Sequence, residues 1–204
     1  MFTLQQIIDA TEEGLRELYE KKLAERDEEL SKRVLALARL AYNSNGSKGR
    51  TAYHLSLALG ARGRNKETIV YFEEAIMKEP GNADYHGDYA TTPLHLDMPH
   101  AALKQVQKAK QYDDHNGQFD CIEGEIAEKM KEYNQALWCY KRGKAKLELH
   151  EHPNREHVRS LRIAQESIVR TQQRLDGLDE MHRQAERETY VPPGSREYWG
   201  GIII

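Results

Sequence analysis

The sequence predicts an all-α protein whose centre is an array of helix-turn-helix repeats, and three observations carry that expectation. The 204-residue chain is 31% charged and 39% hydrophobic with only 6 prolines, a balance that suits helices with a solvated outer surface better than a sheet sandwich. Its apolar residues recur at helical spacing through most of the chain. Three consecutive windows of equal length, 49–82, 83–116 and 117–150, also align with one another, the signature of a repeat architecture.

The first element begins at a capping box. Thr3 followed by Gln6 can exchange side-chain and backbone hydrogen bonds. Beyond them Leu4, Ile7, Ile8, Leu15, Leu18, Tyr19 and Leu23 keep helical spacing, which predicts a helix from about Leu4 into the low twenties. The run Glu25 to Arg33 is almost wholly charged. An apolar stripe then resumes with Val34, Leu35, Leu37, Ala38, Leu40 and Ala41 and stops at Asn43-Ser44-Asn45-Gly46. No Gly or Pro lies between Ala24 and Glu29, so one bent helix and a hairpin both fit, with the hairpin preferred. Residues 1–48 are expected to form an N-terminal helical cap or a degenerate repeat.

In repeats of this length, helix backbones approach closely at positions that tolerate only small side chains. Those positions read Ser56, Thr68 and Ala75 in the first window, Ala90, Ala102 and Ala109 in the second, and Gly124, Ala136 and Gly143 in the third. All nine are small. Pro93 falls inside the first helix of the second window, where it removes a hydrogen bond and predicts a short or kinked helix. Glu123 occupies a position of the third window where an apolar residue is usual.

After the repeats, Pro153 can open a helix. From there to about Glu188 an apolar stripe runs through Val158, Leu161, Ile163, Ala164, Ile168, Val169, Leu175, Leu178 and Met181. Residues 151–188 are read as one helix of over thirty residues or as two joined near Gly177. Such a stripe can cap the array, form a coiled coil or dimerise the protein, and capping is the plain expectation. Residues 189–204 change character. Tyr190-Val191-Pro192-Pro193-Gly194 cannot continue a helix, and Tyr198, Trp199, Ile202, Ile203 and Ile204 give an apolar end. That end either folds back on its own array or docks into a second protein or another copy of this one.

Composition bounds the function. With 30 Lys+Arg against 33 Asp+Glu the formal charge is -3, which offers no global field to recruit nucleic acid or an anionic membrane. No stretch of about 18 apolar residues exists and Met1 to Ala10 has no basic leader before an apolar core, so a cytoplasmic protein is expected. Cys121 and Cys139 form no CxxC and read as reduced packing residues. His150, His152 and His157, with Glu151 and Glu156, have the residue types of a transition-metal site. They cross a proline-bounded loop with no evident second shell, so the reading is a solvated loop and no metal. His54, His86, His95, His100 and His115 recur near repeat helices and serve packing or the binding surface. No HExxH, GxSxG, phosphate-loop or dinucleotide motif is present, so neither an enzyme nor a cofactor is expected. Lys104, Lys108 and Lys110, with Lys141, Arg142, Lys144 and Lys146, could hold an acidic ligand, but nearby carboxylates favour a salt-bridged face.

The repeats resemble the tetratricopeptide-repeat (TPR) family. Phe72, Val106 and Tyr140 match its large position 24, Pro80 matches its closing proline once, and the first window adds Leu55, Leu59 and the turn Gly63. The resemblance covers about half of the chain. It implies a right-handed superhelical array of TPR-like repeats with flanking capping helices, and an adaptor, scaffold or chaperone-like role. The partner would be another protein, bound as a peptide or helix segment in the concave groove. The groove positions implied by the family are Arg50, Tyr53, His54, Leu57 and Gly60; Asp84, Gly87, Asp88, Thr91 and His95; and Gln118, Cys121, Ile122, Glu125 and Lys129. Anchors are expected at Arg50, Tyr53 and Tyr85. The Lys, Asn and Arg set with which some members grip the C-terminal carboxylate of heat-shock chaperones is missing. The alternative function is a self-assembling scaffold that forms a homo-oligomer through the C-terminal helix or the Trp199 to Ile204 tail.

Overall fold

A computed structural model describes residues 3–20, 28–44, 49–149 and 155–189. Among them it is all-α: α1 (Leu4–Glu20), α2 (Glu28–Ser44), α3 (Gly49–Ala61), α4 (Asn65–Lys78), α5 (Ala83–His95), α6 (Pro99–Tyr112), α7 (Gly117–Lys129), α8 (Tyr133–Glu148) and α9 (Arg155–Thr189). The helices form an array of TPR-like helix-turn-helix units with flanking helices. The starts of α3, α5 and α7, and those of α4, α6 and α8, each recur every 34 residues.

Local chemistry sets the helix ends. The Thr3 amide donates to Gln6 Oε1 at 2.8 Å, and the Gln6 amide donates to Thr3 Oγ1 at 3.2 Å, a reciprocal capping box. Asn82 and Asn116, again 34 residues apart, cap α5 and α7 by accepting from the amides of Asp84 and Gln118. The other ends of α3, α5 and α7 share one design. Gly63, Asp97 and Lys131 adopt φ of 71°, 61° and 63°. The amide that follows each of them reaches back to the carbonyl of Leu59, Pro93 or Ala127 at 2.8 to 3.0 Å, the bond that closes a helix with a left-handed residue.

That closure lets α5 keep its full length despite Pro93. Helix α5 has 13 residues, as many as α3 and α7, so the expected shortening is absent. Pro93 sits in the last turn, where its missing amide deprives one carbonyl of a partner. Its own carbonyl accepts from Leu96 and Met98 and takes part in ending the helix.

Packing follows the small-residue register. All nine small positions of the repeats are buried. At Gly124 a Cβ would stand 2.7 Å from Tyr140 Cε1, so α8 can lay its aromatic ring on α7 only where there is no side chain. The core is a chain of four clusters, each drawing on three successive helices. Leu18, Val34 and Leu55 join α1 to α3; Ala52, Ala75 and Tyr85 join α3 to α5. Ala90, Val106 and Ile126 join α5 to α7; Ala127, Tyr140 and Ala164 join α7 to α9. Helices α1 and α2 pack directly on each other, as the hairpin reading requires.

Residues 155–189 form one helix, and Gly177 does not break it. Its first half covers α8 and α7 through Ala164, Ser167 and Thr171. From Asp176 to Ala185 every side chain is exposed.

Candidate functional site

The odd-numbered helices converge on one cavity of about 720 Å³. Helix α1 contributes Glu13, Leu15, Arg16 and Tyr19; α3 contributes Tyr53 and Leu57; α5 contributes Asp88 and Thr91. Helix α7 adds Gln118, Cys121, Ile122 and Glu125, and α9 adds Arg159, Ser160 and Ile163. The even-numbered helices supply none of this lining.

The structure brings together eight of the groove positions implied by the family: Tyr53, Leu57, Asp88, Thr91, Gln118, Cys121, Ile122 and Glu125. Others lie elsewhere. His54 is buried, with Nε2 3.2 Å from Glu12 Oε1. Arg50 donates to the same carboxylate at 2.7 Å, so both residues fasten α1 to α3. Tyr85 is 4% exposed beneath Tyr53, their rings stacked 4.6 Å apart, which makes it part of the core and not an accessible anchor. Gly87 is buried against Phe119. Gly60, Asp84, His95 and Lys129 are outside the lining; His95 Nδ1 donates to the Thr91 carbonyl at 2.7 Å and Lys129 pairs with Asp97 at 3.0 Å. Tyr198, Trp199, Ile202, Ile203 and Ile204 lie outside the described residues, as do His150, His152 and the side chain of His157.

Seven lining residues from α1 and α9 escape sequence reasoning. The flanking helices do not share the 34-residue register, so no alignment of repeats points at Arg16, Tyr19 or Ile163. The only usable signal is that an end helix must cover the open face of the array.

Hydrogen bonds fix the lining. The Tyr53 hydroxyl donates to Asp88 Oδ2, and burial followed by the Asp88 charge pushes its phenol well above the ordinary range, keeping it a neutral donor. Tyr19 donates its hydroxyl to the Leu57 carbonyl at 3.2 Å, pinning α1 to α3. Arg16 pairs with Glu13 at 2.5 Å.

Glu125 differs from these. Glu125 is exposed in the lining, but the protein around it removes enough solvent to raise its pKa, a shift opposed by Arg170 and His95 and reinforced by Glu128. It has neither hydrogen bond nor ion pair among the described residues. Arg170, its largest cationic influence, is committed to Glu128 at 3.0 Å. Burial would raise Glu128 too, but the Thr171 hydroxyl and Arg170 outweigh it and hold Glu128 low.

Next to the groove, Lys110 of α6 and Arg142 and Lys146 of α8 gather on one buried carboxylate, while Lys144 pairs with Glu148 at 3.0 Å. Asp120 is 0% exposed. It accepts from Lys110 at 2.7 Å and Arg142 Nε at 2.9 Å, and its other oxygen lies 2.8 Å from Lys146 Nζ. Glu123 takes a second bond from both Lys110 and Arg142 at 2.8 Å, which is why a carboxylate stands where an apolar residue was expected. These cations serve α6, α7 and α8 internally. Burial also raises the thiols of Cys121 to about 12 and of Cys139 to about 11, so both stay protonated and unreactive near neutral pH. Among the described residues, no group of three His, Cys, Asp or Glu side chains could hold a metal ion. No helix among them is long and apolar enough to cross a membrane.

No family model and no curated protein sequence matches the chain. Solved structures do. "MamA 41-end from Desulfovibrio magneticus RS-1" is similar with a TM-score of 0.56 at 11% identity, over 83% of this chain and 93% of that one. "MamA RS-1 ArsTM double mutant" gives 0.55 at 11% identity over 87% and 97%, and "MamA MSR-1 C2" gives 0.52 at 12% identity over 90% and 99%. At such identities the likeness speaks to architecture, and it agrees with the helices themselves: the fold is an all-α TPR-like repeat array.

Proposed function

We propose that the protein is an interaction module, an adaptor or scaffold that holds a segment of a partner polypeptide in the groove between α1, α3, α5, α7 and α9. The observation that carries this reading is the cavity. Four helices present Tyr19, Tyr53, Leu57, Ile122 and Ile163, and α5 sets Asp88 and Thr91 beside them, the mixture by which a groove takes up a peptide or helix. Its lining binds and orients; the buried thiols and hydrogen-bonded carboxylates offer no activated nucleophile.

Panning a random peptide library on the immobilised protein tests it. Leu57→Glu and Ile122→Glu should each lose the selected peptides with the far-UV circular dichroism intact. Equal capture by both variants removes the groove from consideration.

A second reading, self-assembly, is favoured by α9, where Val169, Leu178 and Met181 are exposed. Light scattering before and after truncation at Glu188, and again after truncation at Leu175, tests it. An association state unchanged by both truncations excludes assembly through the part of α9 beyond Leu175 and the residues that follow it.

A further inference from the structure

We infer that the groove selects a peptide segment carrying a lysine or arginine between apolar residues, and that Glu125 is the carboxylate that meets the cation. This rests on the groove being the binding site. The lining contains three carboxylates, Glu13, Asp88 and Glu125, and two guanidinium groups, Arg16 and Arg159. Glu13 is neutralised by Arg16, and Asp88 accepts from Tyr53. Arg159 is already engaged within the chain. Glu125 is the lining carboxylate with neither a hydrogen bond nor an ion pair among the described residues, and the nearby Arg170 is held by Glu128.

The energetics decide what can lie over it. A segment filling the groove strips the remaining water from Glu125, and a carboxylate left dry without a partner is costly. An aliphatic occupant leaves that cost standing and an acidic one adds repulsion. An ammonium or guanidinium offsets it with a charge-assisted hydrogen bond, stronger the less water remains. Apolar side chains share the lining with Glu125: Ile122 lies one turn earlier on α7, Ile163 comes from α9, and Leu57 and Tyr53 come from α3. The recognised pattern is therefore a cation flanked by aliphatic or aromatic side chains.

Peptide pools with constant Leu and Tyr flanks, differing at a central Lys, Arg, Gln, norleucine or Glu, are titrated by fluorescence polarisation against the full chain. The Lys and Arg pools should bind at least about tenfold more tightly than the Gln and Glu pools. Glu125→Gln, nearly isosteric, should erase that preference while still binding the norleucine pool, and Glu125→Lys should turn the preference toward Glu. Equal binding of all pools, abolished by Leu57→Glu, overturns the charge selection and leaves the groove reading standing. A Lys and Arg preference that survives Glu125→Gln overturns the assignment to Glu125. Failure of every pool to bind overturns both.

Discussion

Gly117 of α7 and Gly143 of α8 meet backbone to backbone: a Cβ on Gly143 would lie 2.7 Å from the Gly117 carbonyl oxygen and 2.8 Å from Cys121 Sγ. Neither neighbour can retreat easily, since one is main chain and the other is packed in the core. Gly143→Ala should therefore destabilise the protein by about 1–3 kcal/mol, read as a lowered urea midpoint. Gly177 is the control, because a Cβ there meets nothing within 4 Å. Gly177→Ala, in the exposed middle of α9, should stabilise that helix by about 0.5–1 kcal/mol.

Lys131 holds φ of 63° in the same turn position where the first repeat has Gly63. A residue with a Cβ costs about 1 kcal/mol or more in that conformation. Lys131→Gly should raise the urea midpoint by up to about 1 kcal/mol. Asp97→Gly should gain less, because Asp97 tolerates the conformation better and its pairing with Lys129 is lost. A fall in stability for Lys131→Gly would mean that the turn carries no strain.

Asp120 links protonation to folding. Burial alone would raise its carboxyl, but hydrogen bonds from Lys110, Lys146 and Arg142 outweigh this and hold it below the ordinary value. A carboxyl depressed in the folded state stabilises above its unfolded pKa and loses that contribution as pH falls below about 4 toward the folded value. Asp120→Asn should cost about 2–4 kcal/mol at pH 7, since it removes the buried negative charge shared by Lys110, Arg142 and Lys146 and leaves them only Glu123 and Asp114. It should also flatten the loss of stability between pH 4 and pH 2 seen by chemical denaturation in the parent. An equally steep acid limb in the variant would remove Asp120 as its source.

Glu12 is the acceptor that both Arg50 and His54 use to fasten α1 over the groove. Glu12→Gln should weaken this docking by about 0.5–1 kcal/mol. Amide hydrogen exchange should quicken in α1 while α7 and α8 keep their protection. Burial lowers the His54 pKa, Glu12 opposes that shift and Arg50 adds to it. Because the folded value lies below the unfolded one, the contribution of His54 is complete above about pH 6.5 and declines as pH falls below it. Protection of α1, corrected for intrinsic exchange, should thus be lower at pH 5.5 than at pH 7.5.

The repeat helices were legible because sterics write them directly into the sequence. Ser56, Ala90 and Gly124 recur at one spacing because each lies where helices press together, and no bulky residue fits. The turns were legible only where glycine marks them. Gly63 declares its left-handed backbone and Asp97 is a type that tolerates it, while Lys131 takes up the same φ with nothing in its identity to announce it. The groove was half legible. Tyr53, Leu57, Ile122 and Glu125 are among the positions implied by the family resemblance, but that resemblance does not distinguish a side chain facing the cavity from one turned between helices. His54 and Tyr85 thus read as contact residues and are buried. Arg16 and Tyr19 were invisible because the flanking helices obey no repeat.

The four-cluster core also governs how the molecule comes apart. Each cluster ends where the next begins, so a load applied at one terminus is borne by the adjacent helices before it reaches the far end. Pulled in an optical trap, such a molecule should yield in several small steps instead of one large rupture, peeling from an edge while the opposite side stays assembled. A partner lying across all five inner helices would act as a splint, tying together parts that otherwise communicate only through their neighbours.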